Sequence, residues 1–218
     1  MPVISVMMFL LLFLLLTAMI QIQFFEIAFT KLGLTPETTL LIVIGTLIGS
    51  GINLPLFKLK TQETGHLVMT PGQKPVWELY QPAREGYTVI AVNVGGCLIP
   101  VGLCLYFISM HVVTPLHCLI ALGAVTALSY KLSKTIPGIG IGMPILIAPI
   151  AAVMLALLLD PEHAAHLAYI AGVLGVLIGA DILHIKDVAK LGVPVAAIGG
   201  AGTFDGIFMT GLIAALLA

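Results

Sequence analysis

Residues Gly179–Gly211 read GADILHIKDVAKLGVPVAAIGGAGTFDGIFMTG, two apolar runs joined by a short basic turn, and each run carries one aspartate, Asp181 and Asp205. A carboxylate at mid-membrane costs about 2.5–3.5 kcal/mol on insertion scales. Two of them on consecutive apolar segments point to a function that needs them. The cluster Gly199-Gly200-Ala201-Gly202 stands just before Asp205. Each glycine costs about 1 kcal/mol against alanine in a helix. The second run is therefore expected to break there, with Asp205 in the first turn of a new half-helix. Its carboxylate can then accept from free backbone N–H groups and lie favourably in the helix dipole.

The surrounding chain fits that reading. Of its 218 residues 60% are hydrophobic and only 9% are charged, against about 25% charged in a soluble domain. The mean hydropathy is +1.16, which places the chain in the membrane class. A net charge of −1 gives nucleic acid no footing. Cys97, Cys104 and Cys118 lack a CxxC spacing and lie in apolar runs, so they read as small buried hydrophobes. With no His/Cys ligand cluster evident, no metal or other cofactor is expected. The apolar start, Met1–Phe25, exceeds a signal-peptide core and lacks a basic n-region and an A-x-A site, so it reads as a retained span.

A helix needs about 20 residues to cross the hydrocarbon core. Seven apolar runs meet that length, roughly 3–25, 38–57, 87–109, 113–132, 138–159, 164–185 and 193–217, which predicts an all-α, polytopic protein forming one transmembrane domain over 1–218. Alternating sides place Lys58, Lys60, Lys74, Arg84, Lys131, Lys134, Lys186 and Lys190 on one face and only Lys31 on the other. The positive-inside rule then predicts a multi-pass cell-membrane protein with a cytoplasmic N-terminus and an outer C-terminus. The long connection, 58–86, becomes a cytoplasmic loop. Its segment HLVMTPGQKPVWELY reads as an interfacial loop anchored by Trp77 and Tyr80, or as a small hairpin around Pro71-Gly72. Gly49–Pro55 resembles Gly138–Pro144, and Ala91-Val92-Asn93 resembles Gly179-Ala180-Asp181. Spans 2–4 and 5–7 could thus form an inverted repeat of three-helix units.

With 1.5 Å of rise per residue, Asn53, Asn93 and Asp181 fall in one layer, roughly 6–10 Å below the cytoplasmic surface. The glycine-rich motif ending at Pro144 falls in the same layer. Asn53 and Asn93 read as interhelical hydrogen-bonding glue, or as holders of water or substrate together with Gly200, Gly202 and Pro144. Gly172, Gly175 and Gly179 read as a close helix-packing face. His184, one turn after Asp181, reads as an interfacial histidine that is within reach of that aspartate.

The runs GADILHI and IGGAGTFDGIFMTGLIAALLA, with NVGGCLIP (Asn93–Pro100) and IPGIGIGMP (Ile136–Pro144), resemble an uncharacterised prokaryotic membrane-protein family, domain of unknown function 1614. That resemblance covers most of the chain and implies no activity. A looser similarity is to the GxGD-type intramembrane aspartyl proteases: presenilin, signal peptide peptidase and the prepilin peptidases. It implies one catalytic aspartate on each of two membrane helices, carried here by Asp181 and Asp205. The pattern departs from theirs in three places. Asp205 follows Gly202 by three residues, no tyrosine precedes Asp181, and Pro144-Ile-Leu and Ala148-Pro149 stand where a Pro-Ala-Leu motif would be sought.

The leading expectation is hydrolysis of a transmembrane peptide by a carboxyl pair sharing one proton, since two carboxylates side by side in low dielectric cannot both ionise. The rival is a proton- or cation-coupled transporter or channel for a small ion or solute. A structural membrane protein is the third reading. Membrane lipid is the expected partner in all three.

Overall fold

The computed structural model describes Met7, Phe13 and residues 23–60, 86–136, 140–188, 193–200 and 206–218. The first well-described helix, α1, spans Gln23–Lys31 and is bent by 118° from α2, Pro36–Gly49. Local chemistry makes the corner. Gly33 takes a left-handed φ of 71°, and Leu34 N–H reaches back to the Phe29 carbonyl at 3.1 Å, closing the helix as a glycine C-cap does. Thr35 restarts it at once: its hydroxyl accepts from Thr38 N–H, and Pro36 supplies a preset φ at the first helical position.

Beyond α2 the chain turns into strands. Strand β1 is Asn53–Lys60 and β2 is Tyr87–Asn93. A π turn over Val94–Leu98 leads into α3, Ile99–Ser109. Next come α4 (Pro115–Leu132), the short strands β3 (Lys134–Ile136) and β4 (Gly140–Gly142), and α5 (Ile147–Leu159). Helix α6 (Ala164–Val176) ends in a second π turn, Leu177–Ile182, followed by α7 (Ile185–Val188), β5 (Val195–Ile198) and α8 (Gly206–Leu217).

The chain is therefore mostly helical but not all-α, and its apolar runs are not seven continuous helices. Among the described residues two helices are long and apolar enough to cross a membrane, Pro115–Leu132 and Ala164–Ile182, or three if the bent pair α1–α2 counts as one span. The runs 38–57, 87–109 and 193–217 each contain a strand, and 138–159 begins with one. The reason lies in the side chains. Runs such as Thr88-Val-Ile-Ala-Val are β-branched, and in a chain this apolar, hydrophobicity does not tell a buried strand from a helix. Lys58 and Lys60, expected in a loop, belong to β1. The rest of that loop, with its hairpin candidate, lies outside the described residues. The two stretches compared as a repeat differ in structure: Gly49–Pro55 leaves a helix for a strand, whereas residues 140–144 leave a strand for a helix.

Sheet order is β1-β2-β5, with β3-β4 as a separate pair. Strands β1 and β2 run antiparallel from Asn53 opposite Asn93 to Lys60 opposite Tyr87, with a bulge beside Pro55, where the ladder lacks a donor. Strands β2 and β5 are parallel, so α3 to α7 form one long crossover. Ile90 and Val188 pack with Leu59, Ile141, Ile185 and Ile198 under this sheet.

Helix α6 is the axis of the bundle, with ten of its thirteen residues buried. Its glycines admit the neighbours closely, as their spacing implies. A Cβ on Gly175 would strike Val125 and one on Gly179 would strike the Thr126 backbone, both on α4, while one on Gly172 would press on Thr210 of α8. The outward residues of α2, α4 and α5, among them Leu41, Ile48, Leu119, Met154 and Leu158, are exposed and apolar. Apolar surface that extensive exceeds what soluble monomers present and suits lipid.

Candidate functional site

At the sheet end of the bundle three chain segments cross. Asn93, the last residue of β2, is fully buried. Its Oδ1 accepts from Gly96 N–H at 2.7 Å, capping the first π turn. Its Nδ2 donates to the Ser50 carbonyl at 2.7 Å and to Asn53 Oδ1 at 3.0 Å. The expected meeting of Asn53 and Asn93 is thus present, with a difference in kind: it joins the ends of two paired strands, not two helices, and Asn53 is exposed. Gly95 lies against the Thr46 carbonyl of α2, and Gly96 against the Gly199 carbonyl, so closely that neither position has room for a Cβ. Gly199 and Gly200, directly after β5, have φ of 84° and 86°, a left-handed conformation that glycine adopts without penalty. The run 193–217 is thus a strand, a left-handed glycine turn and, from Gly206, a helix. Asp205 and Gly202 lie outside the described residues.

Asp181 sits in the second π turn and is half-buried. Leu183 N–H bonds the Ile178 carbonyl at 3.0 Å, one residue further back than in an α-helix, which leaves the Gly179 carbonyl over. The His184 ring Nδ1 takes it at 3.0 Å, and the ring lies 4.7 Å from that of Tyr130 on α4. So Nδ1 of His184 is engaged with the backbone, not with Asp181. Single π turns recur at functional sites, and this one carries Asp181 where α6 packs against the end of α4. Pro144 is exposed between β4 and α5.

The opposite end of the bundle holds a cluster that the sequence reading did not assemble. His111, Thr114, His117, Asp160, Glu162 and His163 line an open hollow of about 470 Å³ between the α3–α4 and α5–α6 connections. Asp160 Oδ1 accepts from His163 N–H at 3.2 Å and lies 3.1 Å from its Nδ1. The signal was present: four of six histidines, at 111, 117, 163 and 166, stand in or beside two short connections. No group of three or more His, Cys, Asp or Glu residues placed to hold a metal occurs among the described residues. At this same end Lys31 Nζ donates to the Leu216 carbonyl at 2.8 Å, a cation on the C-terminus of α8.

Fold and sites define a class: a mainly helical protein with apolar, interrupted helices whose breaks gather on a small sheet. The chain belongs to the family described as Protein of unknown function (DUF1614), whose model matches residues 47–217. No curated protein and no solved structure matches it.

Proposed function

We propose that this chain is an integral membrane aspartyl hydrolase that cleaves transmembrane peptides with Asp181 and Asp205. The observation that carries the reading is β5. Among the described residues it pairs only with β2, which leaves its other edge open, and it runs straight into the glycine turn that precedes Asp205. A strand edge offers N–H and C=O groups to an extended peptide, and hydrolysis needs the scissile bond held in extended form beside the acids. Helices α6 and α8, which flank the two aspartates, pack side by side. In the reaction the ionised aspartate takes a proton from water, the resulting hydroxide adds to the carbonyl carbon, and the protonated aspartate donates to the carbonyl oxygen. Collapse then breaks the C–N bond, with the proton passing to the leaving amine. The pair titrates as a unit, so the roles are not divided between the residues.

In the same proposal the chain crosses the cell membrane seven times, shorter helices being completed by strand and turn. The N-terminus is cytoplasmic, because Lys58, Lys60, Lys131, Lys134 and Lys186 gather at the sheet end and Lys31 lies at the other. A second reading, proton- or cation-coupled transport, is favoured by the two π turns and the glycine turn that interrupt the apolar segments, a device of secondary transporters. Proteoliposomes separate the two. Wild type should cleave a fluorogenic single-span peptide, and Asp181→Asn and Asp205→Asn should each fail to. A wild type that drives pH-gradient-dependent solute uptake without cleaving the peptide would replace the hydrolytic reading with transport.

A further inference from the structure

We propose that the hollow between the α3–α4 and α5–α6 connections is a proton-operated latch, in which protonated His117 closes onto Asp160 and ties the two helical hairpins together. The inference stands apart from the hydrolytic reading and uses neither Asp181 nor Asp205. Asp160 is fixed from one side only. His163, by its backbone N–H and its ring, holds Oδ1, while Oδ2 faces His117 Nδ1 at 3.9 Å. That nitrogen is buried and has no hydrogen-bond partner among the described residues. A buried polar atom left unmatched is costly, and native structures rarely carry one without a purpose.

The gap has a simple chemical account. With the neutral ring's proton on Nε2, the Nδ1 lone pair points at a carboxylate oxygen, and acceptor faces acceptor. Protonation places N–H on Nδ1, and a charge-assisted bond of about 2.7–2.9 Å becomes available. Histidine is the side chain whose ordinary charge change falls between about pH 5 and 8. The titratable groups lining the hollow are His111 from the α3–α4 connection, His117 from α4, and Asp160, Glu162 and His163 from the α5–α6 connection. No lysine or arginine lines it among the described residues, and the one rival of His117 for Asp160 there is His163, whose ring lies against the other carboxylate oxygen, Oδ1. His111 Nδ1 is engaged with the Ser109 carbonyl at 2.9 Å, and its φ of 56° marks a tight turn that holds the α3–α4 connection in place. His163 is already bonded in this arrangement, which leaves His117 as the group that moves.

The sign follows. The protonated folded form gains a contact that the neutral form lacks, so the contribution is present at low pH and lost as pH rises through the imidazole range. The test uses the full chain in nanodiscs of zwitterionic lipid, with and without EDTA. Between pH 8 and pH 5.5 the Tm of wild type should rise by about 2–4 °C relative to His117→Gln. His184→Gln, at the other end of the bundle, should retain the rise. Asp160 also holds the His163 N–H in the α5–α6 connection, so Asp160→Asn is read by a second measurement: the ring ¹⁵N resonances of His117 should report a protonated, hydrogen-bonded Nδ1 at pH 5.5 in wild type and lose that signature in the variant. A wild-type Tm that follows His117→Gln across the pH range would overturn the latch. So would a rise that disappears with EDTA, which would point to a bound metal instead.

Discussion

The two π turns have the same backbone geometry and opposite fates. The first, Val94–Leu98, opens a helix; the second, Leu177–Ile182, closes one. In each a backbone N–H reaches five residues back, Ile99 to Val94 and Leu183 to Ile178. Around the first, every side-chain choice removes freedom: glycines admit two neighbouring backbones, and the Asn93 amide satisfies what the turn leaves over. Around the second the chain keeps a carboxylate half-buried and assigns the spare carbonyl to a histidine. One turn is locked by its neighbours; the other carries a half-buried acid. A widened helical turn is therefore not itself evidence of a site; its occupants decide.

The comparison can be broken by experiment, most severely at the second turn. On the hydrolytic reading Asp181→Asn should lower peptide cleavage per folded molecule by about 10²–10⁴-fold, the usual weight of a general acid or base. A large loss of stability with activity preserved per folded molecule would make both turns structural. At the first turn, Gly96→Ala should cost at least about 3 kcal/mol, because the new methyl has only the Gly199 backbone to displace. Reversible SDS unfolding measures this, and a variant as stable as wild type would mean the crossing is loose. Asn93→Ala should cost about 2–3 kcal/mol, since it strands Gly96 N–H and the Ser50 carbonyl. Asn53→Ala, at the exposed end of the same contact, should cost less than about 1 kcal/mol. Equal losses would show that the pair, not the buried amide, holds the turn.

Another small effect lies at a helix start with no π turn. Thr35→Ala should cost about 1 kcal/mol as a lost N-cap. The Glu37 carboxyl is held below the usual carboxylate range, first by its own backbone N–H and then by the Thr35 hydroxyl. Its contribution is present above that range and is lost as pH falls through the lowered value. Glu37 is fully exposed, so the acid-side change in Tm should be slight, and smaller still in Thr35→Ala.

Much of this was legible from the residues. The spacing of Gly172, Gly175 and Gly179 announced the helix contacts, and the glycines at 199 and 200 announced a break, though after a strand and not within a helix; the depth arithmetic set Asn53 beside Asn93 on a helical rise that neither residue has, since strand pairing joins them. The strands were not legible, because uniform apolarity removes the alternation that betrays a strand in water, and length alone then argued for helices. The histidine hollow was missed for another reason. Its members come from two connections about fifty residues apart, and read singly His117 and Asp160 look like ordinary residues at a membrane surface. The pairing of the aspartates stays a proposal, since Asp205 lies outside the described residues.

The crossing at Gly96 and Gly199 also sets a schedule for biosynthesis. The two glycines are separated by the whole parallel crossover, roughly a hundred residues of chain, the long-range kind of contact that forms late. At about 5–20 residues per second, Gly96 waits on the order of 5–20 s for its partner to leave the ribosome. During that interval α2, the first π turn and β2 are already made, with one flank unfilled. Anything that holds such a half-built sheet, a chaperone or the insertion machinery itself, meets this protein before its last strand exists.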